Sequence, residues 1–281
     1  MNQNKFSDRM ILNDDLIITN PLKVRPHHDQ AAPHGRLFEI LDVKNGRRLV
    51  REIACNTVVV GGAITALENL TGGTPTWRPS TINQIHNVPA TSDLEPKIYL
   101  FGAGIGGAQP AFGIINDVDI KQRDVLVPVP MRANSTGTID TGDADRYFMH
   151  GQNPETDMHE WWLKRFAETP TIKSCWKNAV DEEEDGQEIT SDIYNIETDT
   201  GIETFAEFTL DFSIYDVREH FEAIGDIANA RYNTFGIYTG SLNAEGTEYA
   251  NVRLYAAVAF NNRPLDIKTK ATYLYRIYSM I

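Results

Sequence analysis

The chain has 281 residues, 41% of them hydrophobic and 23% charged, and a formal net charge of −13. That length can bury a sizeable core in one large domain or two small ones, and no apolar run approaches the ~20 residues of a membrane span. The negative balance argues against non-specific binding to a phosphate backbone, and the two cysteines, Cys55 and Cys175, lie far apart outside any Cys-x-x-Cys pair, so they read as reduced thiols.

Residues 1–36 read as an extended arm. The start, MNQNKFSDRMILNDDL, has no basic-then-apolar export pattern. Pro21, Pro26 and Pro33 break any periodicity, and a segment this poor in apolar residues orders only by lying on something else. A globular body is expected over 37–281, with a loop-rich insertion at about 102–200. It opens with a strand over Arg36–Val43, a turn at Asn45-Gly46 and a returning strand RRLVREIA, because Asn-Gly between apolar runs favours a hairpin.

NTVVVGGAITALENLTGG follows as a helix, capped by Asn56 or Thr57. Val59, Ala63, Leu67 and Leu70 form its stripe, and Gly72-Gly73 its end. Gly61 and Gly62 inside it cost about 1 kcal/mol each relative to alanine. Their presence points to close approach of another backbone, or to a helix that begins only after Gly62. PKIYLFG reads as a strand and VLVPVPM as a shorter one. Residues 155–168, ETDMHEWWLKRFAE, read as a helix led by Pro154, with Met158, Trp161, Trp162, Arg165 and Phe166 clustered on one side.

The final third is dominated by strands. In FAEFTLDFSIY (205–215), Phe208, Leu210, Phe212 and Ile214 alternate with Glu207, Thr209, Asp211 and Ser213, the period of a half-buried strand. DVREHFEAIGDIANA offers Val217, Phe221, Ile224 and Ile227 as a helix stripe. RYNTFGIYTG, NVRLYAAVAF and ATYLYRIYSMI are further strands, and the last two are expected in one antiparallel sheet with 205–215.

Several motifs suggest chemistry and weaken on inspection. Gly102-Ala103-Gly104-Ile105-Gly106-Gly107 matches G-x-G-x-x-G after a strand, but Pro110 and Gly113 oppose the helix that must open there. The glycines read as a tight loop at a sheet edge or subunit contact, and no nucleotide is expected. Asp181, Glu183, Asp185, Gly186 and Asp192 approximate a calcium loop. Glu183 and Asp192 depart from the pattern, Ile189 is one place late, and no amphipathic helices flank the run, so a solvated acidic loop is expected. His27, His28, Asp29 and His34 lie on the arm with no scaffold to orient them on a metal. His150 and His159, with Asp143, Asp145 and Asp157 nearby, have no G-x-S-x-G or H-E-x-x-H partner motif.

The segments NTVVVGGAITALENLTG, PKIYLFGAGIGGA and FNNRPLDIKTKATYLYRIYSM resemble parts of virion structural proteins of large tailed bacteriophages. The similarity is to tail and baseplate components, including baseplate wedge-type proteins. It covers the two ends of the chain and little of 115–200. It implies a structural role without catalytic residues or cofactors, with copies of the chain and other virion proteins as partners. It implies assembly in the host cytoplasm into a tail, baseplate or neck region; the charge and the lack of a long apolar run lead to the expectation of no nucleic-acid and no membrane partner.

The expected fold is thus α+β, mainly antiparallel β with a few helices and an extended N-terminal arm. Candidate interface residues are Trp161, Trp162, Gly61, Gly62, Phe260 and Tyr275. Two alternatives of other classes stand beside assembly. One is a metal-dependent hydrolase using His150, His159 and the nearby aspartates. The other is a carbohydrate- or receptor-binding module using Trp161 and Trp162 as a stacking shelf.

Overall fold

The computed structural model describes residues 34–44, 47–58, 60–76, 96–106, 128–139, 142, 144–176, 188–189, 202–242, 249–265 and 270–279. The expectations for 1–33 and for the acidic run at 181–187 lie outside them. The architecture is α+β and mainly antiparallel β, as expected. Among the described residues, twelve strands, numbered in chain order, are joined by hydrogen bonds in the order β5-β7-β3-β10-β11-β2-β1-β12-β9-β8, with β4 on β3 and β6 on β7.

The first hairpin pairs β1 (His34–Lys44) with β2 (Arg47–Val58), and Lys44 stands opposite Arg47; Asn45 and Gly46, where the turn was expected, lie outside the described residues. His34, Gly35 and Arg36, expected in the arm, belong to β1 and pair with Tyr278, Ile277 and Arg276 of the last strand, β12 (Lys270–Ser279). Asn56 and Thr57, expected to cap a helix, lie in β2 instead.

β2 serves both halves of the sheet. Along most of its length it pairs with β1. At its end, Asn56, Thr57 and Val58 pair with Val258, Ala257 and Ala256 of β11 (Tyr249–Pro264). The two C-terminal strands therefore belong to one continuous ladder but are not neighbours, because β1 and β2 lie between them. β12 sits inside its half, between β1 and β9 (Ile202–Ser213). β10 (Arg231–Leu242) lies between β11 and β3 (Lys97–Gly104).

The halves face each other across one aromatic core. Phe212 of β9 meets Phe235 of β10 edge-on at 5.6 Å. Phe208 lies 5.0 Å from Phe166, and the Tyr232 and Tyr273 hydroxyls meet across the same layer. The alternation read in 205–215 is realised, with Phe208, Leu210 and Phe212 buried on one side. The strand stops at Ser213, however. Ile214 and Tyr215 open α2 (Ile214–Ala223), and the Ser213 N–H donates to Asp216 Oδ2 at 2.8 Å. This is half of a capping box, which turns the chain from strand to helix. Val217 and Phe221 are buried as the stripe requires, whereas Ile224 and Ile227 lie beyond the helix and exposed.

The expected helix at 155–168 is a correction. A turn at 154–156 leads into β7 (His159–Arg165). β6 (Tyr147–Gln152) runs along one side of β7, and β5 (Arg132–Asn134) and β3 share the other. A spacing of four keeps two residues on one face in a helix and also in a strand. Trp161 with Arg165, and Trp162 with Phe166, therefore fitted both readings, and pairing on both edges decided for the strand. Pro154 sits in the turn, where Asn153 Oδ1 accepts the Glu155 N–H at 2.9 Å. Gly102 and Gly104, expected in an edge loop, lie within β3 in the sheet interior. A Cβ at Gly102 would stand 3.0 Å from Leu163 Cδ2 and 3.3 Å from the Trp162 carbonyl oxygen, so the glycine serves close packing of β3 on β7. The short strand expected in VLVPVPM is β4 (Pro128–Val129). β8 (Thr171–Trp176) ends the ladder beside β9. No helix among the described residues is long and apolar enough to cross a membrane.

Asn56 ties the switch in β2 to the other strands. Its Oδ1 accepts the Gly35 N–H at 2.6 Å, and its Nδ2 donates to the Tyr275 hydroxyl at 2.7 Å, all buried. Asn56→Ala removes both bonds and leaves buried groups unsatisfied, so it is expected to cost about 2–3 kcal/mol in urea unfolding. A loss within ~0.5 kcal/mol would show that Asn56 does not anchor the crossing.

Candidate functional site

Helix α1 (Val60–Thr71) packs on β11 through its smallest residues. A Cβ at Gly62 would overlap the Tyr255 carbonyl oxygen and stand 2.8 Å from its carbonyl carbon. The backbone-to-backbone approach expected of the glycine pair is thus present at Gly62. Gly61 is the helix's second residue. Thr65 is buried, and Ala66 packs against the main core. The expected stripe runs the wrong way round. Leu67 is 55% exposed and Leu70 81% exposed. Leu67 and Leu70 face outward, while Gly62 makes the close contact with β11. Gly72, at φ +66°, closes the helix as expected.

The other interface candidates lie elsewhere. Phe260 and Tyr275 are buried in the main core. Trp162 packs, partly buried, against a second cluster around Leu100, Leu163 and Tyr238. Trp161 is buried, with the His150 ring stacked on it at 4.7 Å. These side chains are committed to packing within the chain, as aromatics of a paired sheet usually are.

His150 and His159 do come together. His150 Nε2 and His159 Nδ1 are 3.0 Å apart, and the rings are nearly parallel with centroids at 4.9 Å. One imidazole donates and the other accepts. Asp145 and Asp157 are exposed, and Asp157 accepts the Gln152 amide at 2.6 Å; Asp143 lies outside the described residues. Among the described residues no three His, Cys, Asp or Glu side chains are placed to hold a metal ion.

Sequence reasoning missed the polar centre under α2. Lys164 of β7 and Asp216 of α2, each 5% exposed in its side chain, meet at 2.8 Å through Nζ and Oδ1. Lys164 Nζ also donates to the Asp211 carbonyl oxygen at 2.8 Å and lies 3.4 Å from Asp211 Oδ2. Arg146 holds Asp211 at 2.8 Å. Burial alone would raise the Asp211 pKa, but the hydrogen bond from Arg146 and the charge of Lys164 outweigh it and hold the carboxyl below its usual range. The Tyr147 hydroxyl donates to Asp216 Oδ1 at 2.7 Å, and burial, together with the Asp216 charge, pushes that phenol well above its usual range. Arg132 clasps Glu219 through Nε and Nη2 at 3.0 and 2.9 Å, fastening the same helix. One signal for this centre was in the sequence: Ser213-x-x-Asp216, the mark of a helix start.

A second buried charge centre lies on β9. Glu207 accepts from Arg276 Nε at 2.8 Å, Arg48 Nη2 at 2.9 Å and Lys173 Nζ at 3.2 Å. The Arg276 guanidinium lies between the Phe38 and Phe205 rings, 4.8 and 4.6 Å from their centroids.

No family model, no curated protein and no solved structure matches this chain.

Proposed function

We propose that the chain is a structural subunit of a tailed bacteriophage particle, in its tail, baseplate or neck, with copies of itself and other virion proteins as partners. Its working surfaces are then protein contacts made during assembly in the host cytoplasm. The observation that carries this reading is the inverted amphipathy of α1. A surface helix ordinarily turns its leucines to the core; here Leu67 and Leu70 are turned away from it, and Gly62, Thr65 and Ala66 take the core side. Large apolar residues kept on an outer face mark a contact surface. The resemblance of the α1 and C-terminal segments to tail and baseplate proteins supports the same reading.

The test is a complementation experiment with Leu67→Ser/Leu70→Asp chains. Both side chains are exposed, so the isolated variant is expected to unfold within about 0.5 kcal/mol of the parent for each substitution. Its incorporation into particles should fall at least tenfold. Incorporation equal to the parent would remove the support that α1 gives.

A further inference from the structure

The geometry points to an internal amide bond between Lys164 Nζ and Asp216 Cγ, formed by the folded chain itself with loss of one water. This goes beyond the assembly reading and does not depend on it.

A covalent bond of this kind needs an amine held against a carboxyl group, away from water, with a base for the amine and donors for both carboxyl oxygens. Each part is in place. The amine and the carboxyl touch at 2.8 Å with both side chains 5% exposed. Asp216 Oδ2 accepts the Ser213 N–H at 2.8 Å and stands 3.2 Å from its hydroxyl. Those donors face the oxygen that carries negative charge when the amine adds to the carbon. Oδ1 accepts the Tyr147 hydroxyl at 2.7 Å, and the Tyr147 ring lies 5.7 Å from Lys164 Nζ. Asp211 Oδ2, 3.4 Å from Nζ, is the remaining carboxylate at the amine, and Arg146 positions it.

The step balances within the site. One ammonium proton passes from Nζ to Oδ1 across their contact, leaving a neutral amine and a neutral acid. The Nζ lone pair attacks Cγ, and Asp211 takes a second proton from nitrogen. That proton is returned to Oδ1, which leaves as water as the Cγ–Oδ1 bond breaks. The third proton remains on the amide nitrogen. Oδ2 becomes the amide carbonyl oxygen and keeps the Ser213 N–H that starts α2. Asp211 is the catalytic base, and Arg146 is a positioning residue. The product staples β7 to α2, elements otherwise joined here by an ion pair.

Intact-mass measurement of the full chain, purified folded and then denatured, tests this directly. The expected mass is one water below the sequence mass, and proteolysis should yield a branched peptide that joins the Lys164 segment to the Asp216 segment. The Asp211→Asn variant keeps the shape of the side chain and should retain the full sequence mass for much longer. Full mass in the parent, with Lys164 and Asp216 on separate peptides, would overturn the proposal. So would a one-water deficit that fragmentation places elsewhere. Asp211→Asn chains that crosslink as fast as the parent would overturn the assignment of Asp211 as base.

Discussion

Gly62→Ala is expected to destabilise the chain by about 3 kcal/mol, the upper part of the range for overpacking a close contact. The added methyl would overlap the Tyr255 carbonyl oxygen, which belongs to β11 and cannot swing aside as a flexible side chain would. α1 must then lift from the sheet. At an exposed helical position the same substitution would stabilise by up to ~1 kcal/mol through helix propensity, so the sign of the effect reports the contact. Gly72→Ala is the control. No atom lies within 4 Å of a Cβ there, and its φ of +66° sets the cost, on the order of 1 kcal/mol. Urea unfolding of the three proteins checks both; a Gly62→Ala chain as stable as the parent would mean that α1 does not pack as described.

Glu207→Gln is expected to cost at least about 3 kcal/mol, the scale for breaking a buried ion pair from one side. The variant keeps the shape of the side chain but sets three cations, Arg276, Arg48 and Lys173, around a neutral amide. The pH dependence follows from the same contacts. Burial works to raise the Glu207 pKa, but the charges of Arg276, Arg48 and Lys173 prevail and hold it below the ordinary carboxylate value. A carboxyl depressed in the folded state contributes its full stabilisation above the unfolded value, about pH 4.3 for glutamate. That contribution is lost as pH falls through the folded value. Asp211 behaves in the same direction. Parent stability should therefore drop steeply below about pH 4, and Glu207→Gln should show a shallower acid limb. Parallel acid limbs would place the titrating groups elsewhere.

Much of the strand content was legible because alternation and turn chemistry are local. Asn45-Gly46 between apolar runs announced the first hairpin, and Phe208, Leu210 and Phe212 announced β9. Gly62 announced a close backbone approach, although not which strand it meets. Long-range pairing was not legible. Nothing in Asn56–Val58 tells that the end of β2 leaves β1 for β11. Trp161 and Trp162 look amphipathic on a helix, and only the strands on either side of β7 make them residues of a sheet. The Leu67 and Leu70 stripe was recognised, but not the direction it faces. The Lys164–Asp216–Asp211 centre joins two segments separated in sequence, and no local pattern marks it beyond the helix-start signature at Ser213.

The proposed assembly role is tested most directly by a protein census of density-purified tailed particles from lysates of cells that produce this chain. Quantitative mass spectrometry should find the chain in the particles at a fixed ratio to the other tail or baseplate proteins, unchanged by a high-salt wash. Absence from washed particles, with the chain recovered only in the soluble fraction of the lysate, would contradict a structural role.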